Sequence, residues 1–268
     1  MEAPLNPESI SYGALKTEVE HRRDICAVGR WIRDRGYVAS TDGNISVRLG
    51  PDRVLISPTG LSKGTMNPDD LVVIDFDGHR VSGLRKQSSE FAMHLLIYRL
   101  RPDVNAVCHA HPTTATGFAA AGLPLDKPIL CELVIGLGEI PLARYGTPGT
   151  PELSAAMEPF IHGHDAILMA NHGVVTYGPD LLTAFMRMEA TEHFAQVALV
   201  THLLGKQVLL SGGDVEKLAA VRTRYAAGAA ASHPSAAGAA CPTESVTLTR
   251  RELDALIDEG VRRDRARR

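Results

Sequence analysis

The sequence predicts an α/β fold with helices packed on the faces of a largely antiparallel sheet. Three observations lead there. Apolar runs of strand length alternate along the chain with stretches of helical periodicity, the pattern of a sheet covered by helices. Several strand pairs are joined by short turns, which antiparallel neighbours allow and parallel ones do not. The 268 residues, 44% hydrophobic and 22% charged, suffice for one large domain or two small ones of soluble, globular composition.

Charge and composition narrow the function. A net charge of −3 gives no general electrostatic reason to bind nucleic acid or a membrane surface. No apolar run approaches the ~20 residues of a membrane span. Met1 to Ile10 is acidic and proline-bearing, without the apolar centre of a signal peptide. Cys26, Cys108, Cys131 and Cys241 show no paired metal spacing and suit a reducing compartment, so a cytoplasmic protein is expected.

The elements follow in order. Val19, Ile25, Val28 and Ile32 fall at helical spacing within Leu15 to Arg35, with Gly36 as the stop and Trp31 expected in the core. The turn-rich Ser40-Thr41-Asp42-Gly43-Asn44 opens a strand, Ile45 to Leu49, and Pro51-Asp52 turns into a second, Val54 to Ser57. A third, Leu71 to Asp75, closes at Asp77-Gly78. Ser88-Ser89-Glu90 precedes a helix carrying Met93, Leu96, Ile97 and Leu100 on one face. Its serines and acid read as helix-start residues, and equally as an anion site of hydroxyls and free N–H groups. The apolar run Val104 to Val107 reads as a strand, followed by a helix from Thr113 to Ala121 and a glycine- and proline-rich loop region, 136–149. A helix from Pro151 to Phe160 leads to the strand Ala166 to Ala170, and Pro179 begins a long helix to about Leu204.

The chemistry gathers at strand ends. In Cys108-His109-Ala110-His111-Pro112 the two histidines are two apart, so on a strand they share a face and can present two imidazoles to one point. A His-x-His pair alone also reads as two ordinary strand histidines. A third imidazole, His172 in Asn171-His172-Gly173, stands at the end of another buried strand. Three protein ligands with one open position is the pattern of a catalytic zinc. His94, four residues after Glu90, reads as packing or support, because a fourth histidine would close the site. His162 and His164 read as exposed loop, His193 and His202 as core or interface contacts, and Cys108 as a small buried hydrophobe. No lysine stands in an obvious apolar pocket to form a Schiff base, which favours a Lewis acid.

Taken together and in order, six motifs resemble the class II aldolase/adducin family, and within it the zinc-dependent fuculose-phosphate aldolases. They are the run Thr41 to Arg48, Ser57-Pro58-Thr59-Gly60, Ser88-Ser89-Glu90 with His94, His109-Ala110-His111, Ala143-Arg144-Tyr145, and Asn171-His172-Gly173. The likeness covers roughly residues 10–205. It implies a three-layer α/β/α sandwich on a mostly antiparallel sheet and a ring-shaped homotetramer with active sites at subunit contacts. It implies one Zn²⁺ per subunit, with Mn²⁺ or Co²⁺ also acceptable to imidazole, on His109, His111 and His172. Glu90 would fill the fourth position at rest and swing away to shuttle a proton. The implied reaction is aldol cleavage of a deoxyketose 1-phosphate, L-fuculose 1-phosphate or similar. It gives dihydroxyacetone phosphate and lactaldehyde through a metal-stabilised enediolate. Asn44, Thr59, Gly60, Ser88 and Ser89 correspond to the family's phosphate pocket, and Tyr145 to a tyrosine that reaches a neighbouring subunit and protonates the departing aldehyde oxygen. Sugar-phosphate 4-epimerases, dehydratases and decarboxylases share the fold. The epimerases carry Asp where Glu90 stands, and a decarboxylase of a hydroxy-aromatic or sugar acid is expected not to need the Ser88–Ser89 pocket. A non-catalytic adducin-like scaffold would lack the metal histidines.

Beyond Tyr225 the composition changes. Ala226 to Pro242 is nearly all Ala, Gly, Ser and Pro and reads as a flexible linker. In the tail, 243–268, Thr249 and Glu252 form a capping box, and Leu253, Leu256, Ile257 and Val261 line one face of a short amphipathic helix. Such a helix wants a groove. Three readings stand: an encapsulation peptide for a bacterial microcompartment shell protein, docking on its own oligomer, or disorder.

Overall fold

The computed structural model describes residues 16–232. The expectations for Met1 to Ile10, for the linker beyond Ser232 and for the tail 243–268 lie outside the described residues. The segment 226–232, expected as linker, continues helix α7 (Gly212–Ser232), in keeping with the high helix propensity of alanine.

Helix α1 (Glu18–Asp34) starts at a capping box: Thr17 Oγ1 accepts from Glu20 N, and Glu20 Oε2 accepts from Thr17 N at 2.7 Å. It buries Ile25, Val28 and Ile32, while Trp31 is half-buried against Phe185, ring centroids 5.3 Å apart. Strands β1 (Asn44–Arg48), β2 (Arg53–Ile56) and β3 (Val72–Asp75) form the antiparallel meander the turns predict, and an unexpected edge strand β4 (Arg80–Ser82) extends it. Next come α2 (Phe91–Leu100), β5 (Ala106–Ala110), α3 (Thr113–Ala120), α4 (Cys131–Gly136), β6 (Leu142–Ala143), α5 (Pro151–Ile161), β7 (Ala166–Met169), β8 (Gly173–Gly178) and α6 (Leu181–Leu203).

The strands form one eight-stranded sheet in the order β4-β3-β2-β1-β5-β8-β7-β6, antiparallel throughout except for the β6–β7 pair. Side chains alternate faces as the pleat requires. Leu55, Val73, Cys108 and Val174 pack with α1, α3 and α6 on one face, whereas Val54, Ile74, Val107 and Val175 pack with α2 and α5 on the other. The result is the three-layer α/β/α sandwich. Strand β8 is absent from the sequence reading, although Val174, Val175, Thr176 and Tyr177 are all β-branched or aromatic, a signal that could have found it. Among the described residues, no helix is long and apolar enough to cross a membrane.

Candidate metal centre and active site

Three sheet elements and one helix start converge on the α2 side. Val107 packs toward α2 and α5, so His109, two residues on in β5, points to the same face. His111 follows directly after the strand, held by its N–H donating to Tyr37 O at 2.8 Å. His172 sits in the three-residue turn between β7 and β8, beside Asn171, whose φ of 55° is left-handed. Because β8 pairs with β5, with Ala110 opposite Val174, that turn lies next to His111. Gly173 makes the approach: a Cβ there would stand 2.5 Å from His111 Cδ2 and 2.7 Å from Ala110 O. Glu90 immediately precedes α2.

The ligand atoms of His109, His111 and His172 lie within 4.8 Å of one another. His109 Nε2 is 3.2 Å from His111 Nε2 and 3.3 Å from Glu90 Oε2, and His172 Nε2 is 3.2 Å from Glu90 Oε1. Zinc–nitrogen bonds of about 2.05 Å in a tetrahedron put neighbouring donor atoms about 3.3 Å apart, and these separations match that spacing.

Electrostatics agrees. His109 Nδ1–H donates to Val174 O at 2.8 Å, which turns its Nε2 toward the centre. Burial first, then the His109 charge, pushes the His111 and His172 imidazoles down to about 4, so both are neutral at pH 7. For His109, burial works downward, but the Glu90 carboxylate outweighs it and raises the imidazole. Burial likewise pushes the Glu90 carboxyl up, but His109, His172 and the Asn44 amide outweigh it and hold the group well below the usual carboxylate range. Glu90 Oε1 and His172 Nδ1 are nevertheless buried without a hydrogen-bond partner. A buried carboxylate oxygen among converging imidazole nitrogens is costly unless a cation sits between them. Three imidazole nitrogens, two already neutral and His109 able to exchange its proton for a cation, with one carboxylate fit a divalent metal ion.

The loops expected to bind phosphate flank this centre. Ser57 N donates to Ile45 O at 3.0 Å, Ser88 N to Ser57 O at 3.1 Å and Thr59 N to Lys86 O at 3.1 Å, tying the β2 end to the start of α2. Gly60, at φ 70°, supplies the left-handed residue of this loop. Thr59, Gly60 and Ser89 are exposed; no hydrogen bond within the described residues engages the Thr59 or Ser89 hydroxyl. Ser88 is buried, and its Oγ accepts from Glu90 N at 3.3 Å. No side chain caps α2, contrary to the helix-cap reading of the serines. Asn44 is placed differently from the expectation. Its amide is buried and committed within the chain, Nδ2 donating to Glu90 Oε2 at 2.7 Å and Oδ1 accepting from His94 Nε2.

Tyr145 follows β6, is 53% exposed, and is not joined to the triad within this chain. His162, His193 and His202 are exposed, and the half-buried His164 faces Phe160 O; none meets the triad. The Cys108 thiol is fully buried and pushed up to about 12 by that burial. One expectation needs correction: a lysine is buried. Lys63 is 1% exposed and its ammonium is pushed down to about 8 by burial. Its Nζ, however, donates to Thr41 O and Leu61 O at 2.9 and 2.6 Å, so it ties two loops together instead of facing an open pocket.

Known proteins agree with this architecture. The family model described as Class II Aldolase and Adducin N-terminal domain matches residues 23–199. The chain is 35% identical over 202 residues to the 5-deoxy-D-ribulose 1-phosphate aldolase of Bacillus thuringiensis serovar kurstaki, covering 75% of this chain and 94% of that protein. It is 33% identical over 186 residues to the 3-oxo-tetronate 4-phosphate decarboxylase of Haemophilus influenzae, covering 68% and 88%. A solved L-fuculose 1-phosphate aldolase superposes with a TM-score of 0.71 at 30% identity, covering 80% of this chain and all of that one. The Haemophilus influenzae protein is named for a phosphorylated substrate, so a phosphate pocket separates aldolases from decarboxylases of unphosphorylated acids but not from that relative. Sequence, fold and the meeting of the three histidines agree: this chain belongs to the class II aldolase and adducin family.

Proposed function

We propose that this chain is a zinc-dependent aldehyde-lyase acting on a deoxyketose 1-phosphate. It releases dihydroxyacetone phosphate and a short aldehyde, lactaldehyde in the case of L-fuculose 1-phosphate. The observation that carries the reading is the Glu90 carboxylate held 3.2–3.3 Å from two of three converging imidazoles. His109, His111 and His172, with Glu90 at rest, would hold the ion, which when bound supplies Lewis-acid stabilisation of the negative charge left on the substrate by C–C cleavage. Glu90 moves the proton at the substrate carbon. Its neighbours keep it ionised at neutral pH and so able to accept a proton, and the Asn44 amide aims one of its oxygens. The Thr59 and Ser89 hydroxyls, with Gly60 and Ser88 beside them at the uncapped start of α2, bind the phosphate. Because the Asn44 amide serves Glu90, the pocket rests on those four residues.

Tyr145 acts in the site of a neighbouring subunit of a homotetramer, protonating the aldehyde oxygen; its exposure and its separation from the triad of its own chain support that assignment. A decarboxylase is the second reading, favoured by the Haemophilus influenzae relative. A panel of ketose 1-phosphates, read by dihydroxyacetone phosphate release, tests the proposal beside a 3-oxo-tetronate 4-phosphate arm read by CO₂. Cleavage in the first arm is expected; CO₂ release with no cleavage would transfer the site to the second reading.

A further inference from the structure

Behind Glu90 runs a line of enclosed polar side chains that the proposed reaction does not use. Asn44 and Ser46 lie two apart on the α2 face of β1, and Glu90, His94 and Tyr98 recur every four residues along α2. Two strand residues advance about 6.6 Å and four helical residues about 6 Å, so the two rows interlock. Asn44 Nδ2 donates to Glu90 Oε2 at 2.7 Å, and Asn44 Oδ1 accepts from His94 Nε2. His94 Nδ1 is 2.6 Å from Ser46 Oγ, which is 2.8 Å from Tyr98 Oη. Asn44, Ser46, His94 and Tyr98 are each 2% exposed or less.

The carboxylate sets the direction of every link. Ionised Glu90 only accepts, so Asn44 turns its NH₂ toward it and its carbonyl toward His94. A carbonyl only accepts, so His94 carries its proton on Nε2. The bare Nδ1 then takes the Ser46 hydroxyl proton, and Ser46 accepts from Tyr98. Without the imidazole N–H, nothing prevents the Asn44 amide from rotating its carbonyl onto the Glu90 carboxylate.

We propose that His94 is a positioning residue for Glu90, acting through Asn44: its Nε2–H locks the Asn44 amide with the NH₂ toward Glu90 and so holds the carboxylate against the three imidazoles. Ser46 donates to the bare Nδ1 and accepts from Tyr98, which satisfies the far side of the ring in that tautomer. The inference rests on the reading of Glu90 as the carboxylate of the metal centre, and it needs no particular substrate.

The test is a double-mutant cycle on zinc release from the full-length protein to a chromophoric chelator. His94→Leu removes the donor and should release zinc about 10- to 100-fold faster, the range seen when a supporting partner of a ligand is lost. His94→Gln places an amide N–H near the imidazole Nε2 and should stay within about threefold of the parent. In the Glu90→Gln background, His94→Leu should change the rate by less than about twofold, because the route it acts through is gone. Equal acceleration with and without Glu90, or none in either background, overturns the inference. Should His94→Leu fail to fold, Ser46→Ala removes only the hydroxyl on His94 Nδ1 and should speed release several-fold, again only when Glu90 is present. Ketose-phosphate cleavage by the parent enzyme separates the two ideas. A non-additive cycle without cleavage sinks the proposed reaction alone, and an additive cycle with cleavage sinks the role of His94 alone.

Discussion

Glu192 offers a sharp test of how the fold holds His111. Helix α3 begins directly after His111-Pro112, and its N-terminal residue Pro112 offers no side-chain cap. The cap comes instead from α6: Glu192 Oε1 accepts from Thr114 N at 3.0 Å and Oε2 from Ala115 N at 2.8 Å. The carboxylate is only 3% exposed, and Gln196 Nε2 steadies it at 3.1 Å. A negative group on the first-turn amides also meets the positive end of the helix dipole. Glu192→Ala strands the buried Ala115 N–H and the half-buried Thr114 N–H, at roughly 1–3 kcal/mol each and about 3 kcal/mol together after partial relaxation. At about 2–4 °C per kcal/mol for a domain of this size, Tm should fall by about 6–12 °C. Glu192→Gln keeps one acceptor oxygen and should cost about half as much. The assay is thermal unfolding at matched protein concentration, since association shifts Tm by mass action, paired with amide exchange at Thr114 and Ala115. A fall under about 2 °C in Glu192→Ala, with exchange unchanged, would refute the capping argument.

Three further outcomes are expected. Ser89→Ala should raise KM for phosphorylated substrates about tenfold and leave unphosphorylated analogues nearly unaffected, because it removes one donor to a dianion; an equal effect on both would remove Ser89 from the phosphate pocket. Gly173→Ala forces a methyl into the His111 ring and should weaken metal binding at least about tenfold, read by chelator competition. Burial pushes the His94 imidazole down to about 3, below the unfolded value of 6.5, so the unfolded chain takes up a proton that the fold refuses and stability is lost as pH falls below 6.5. Between pH 7 and pH 5 His94→Gln should therefore lose about 2 kcal/mol less than the parent in urea unfolding with chelator present; identical losses would show that His94 does not stay neutral in the fold.

What could be read from the chain follows from how local each signal is. His109 and His111 were legible because a two-residue period on a strand is a local rule, and His172 because it ends another apolar run. The meander β1–β3 carried its turns in the sequence. The roles of buried polar groups did not, because they depend on which distant segments meet. Asn44 reads as a loop residue near an anion pocket, yet its amide is shared by Glu90 and His94, 46 and 50 residues away. Nothing local marks Glu192, which caps a helix 77 and 78 residues earlier in the chain. Nothing local marks Lys63, whose ammonium bonds loop carbonyls brought together only by the fold. Strand β8 is a different case: glycines stand at both its ends and it lies directly behind the His172 turn, which leaves its apolar run short.

The most direct measurement is the metal content of the full-length protein after reconstitution with Zn²⁺ and exhaustive dialysis, compared with His172→Ala and Glu90→Gln. About one ion per chain in the parent, nearly none in His172→Ala, and retention in Glu90→Gln with turnover down about a thousandfold is the expected pattern. A parent chain that keeps no ion, or a His172→Ala variant that holds it as tightly as the parent, would contradict a shared metal among His109, His111 and His172.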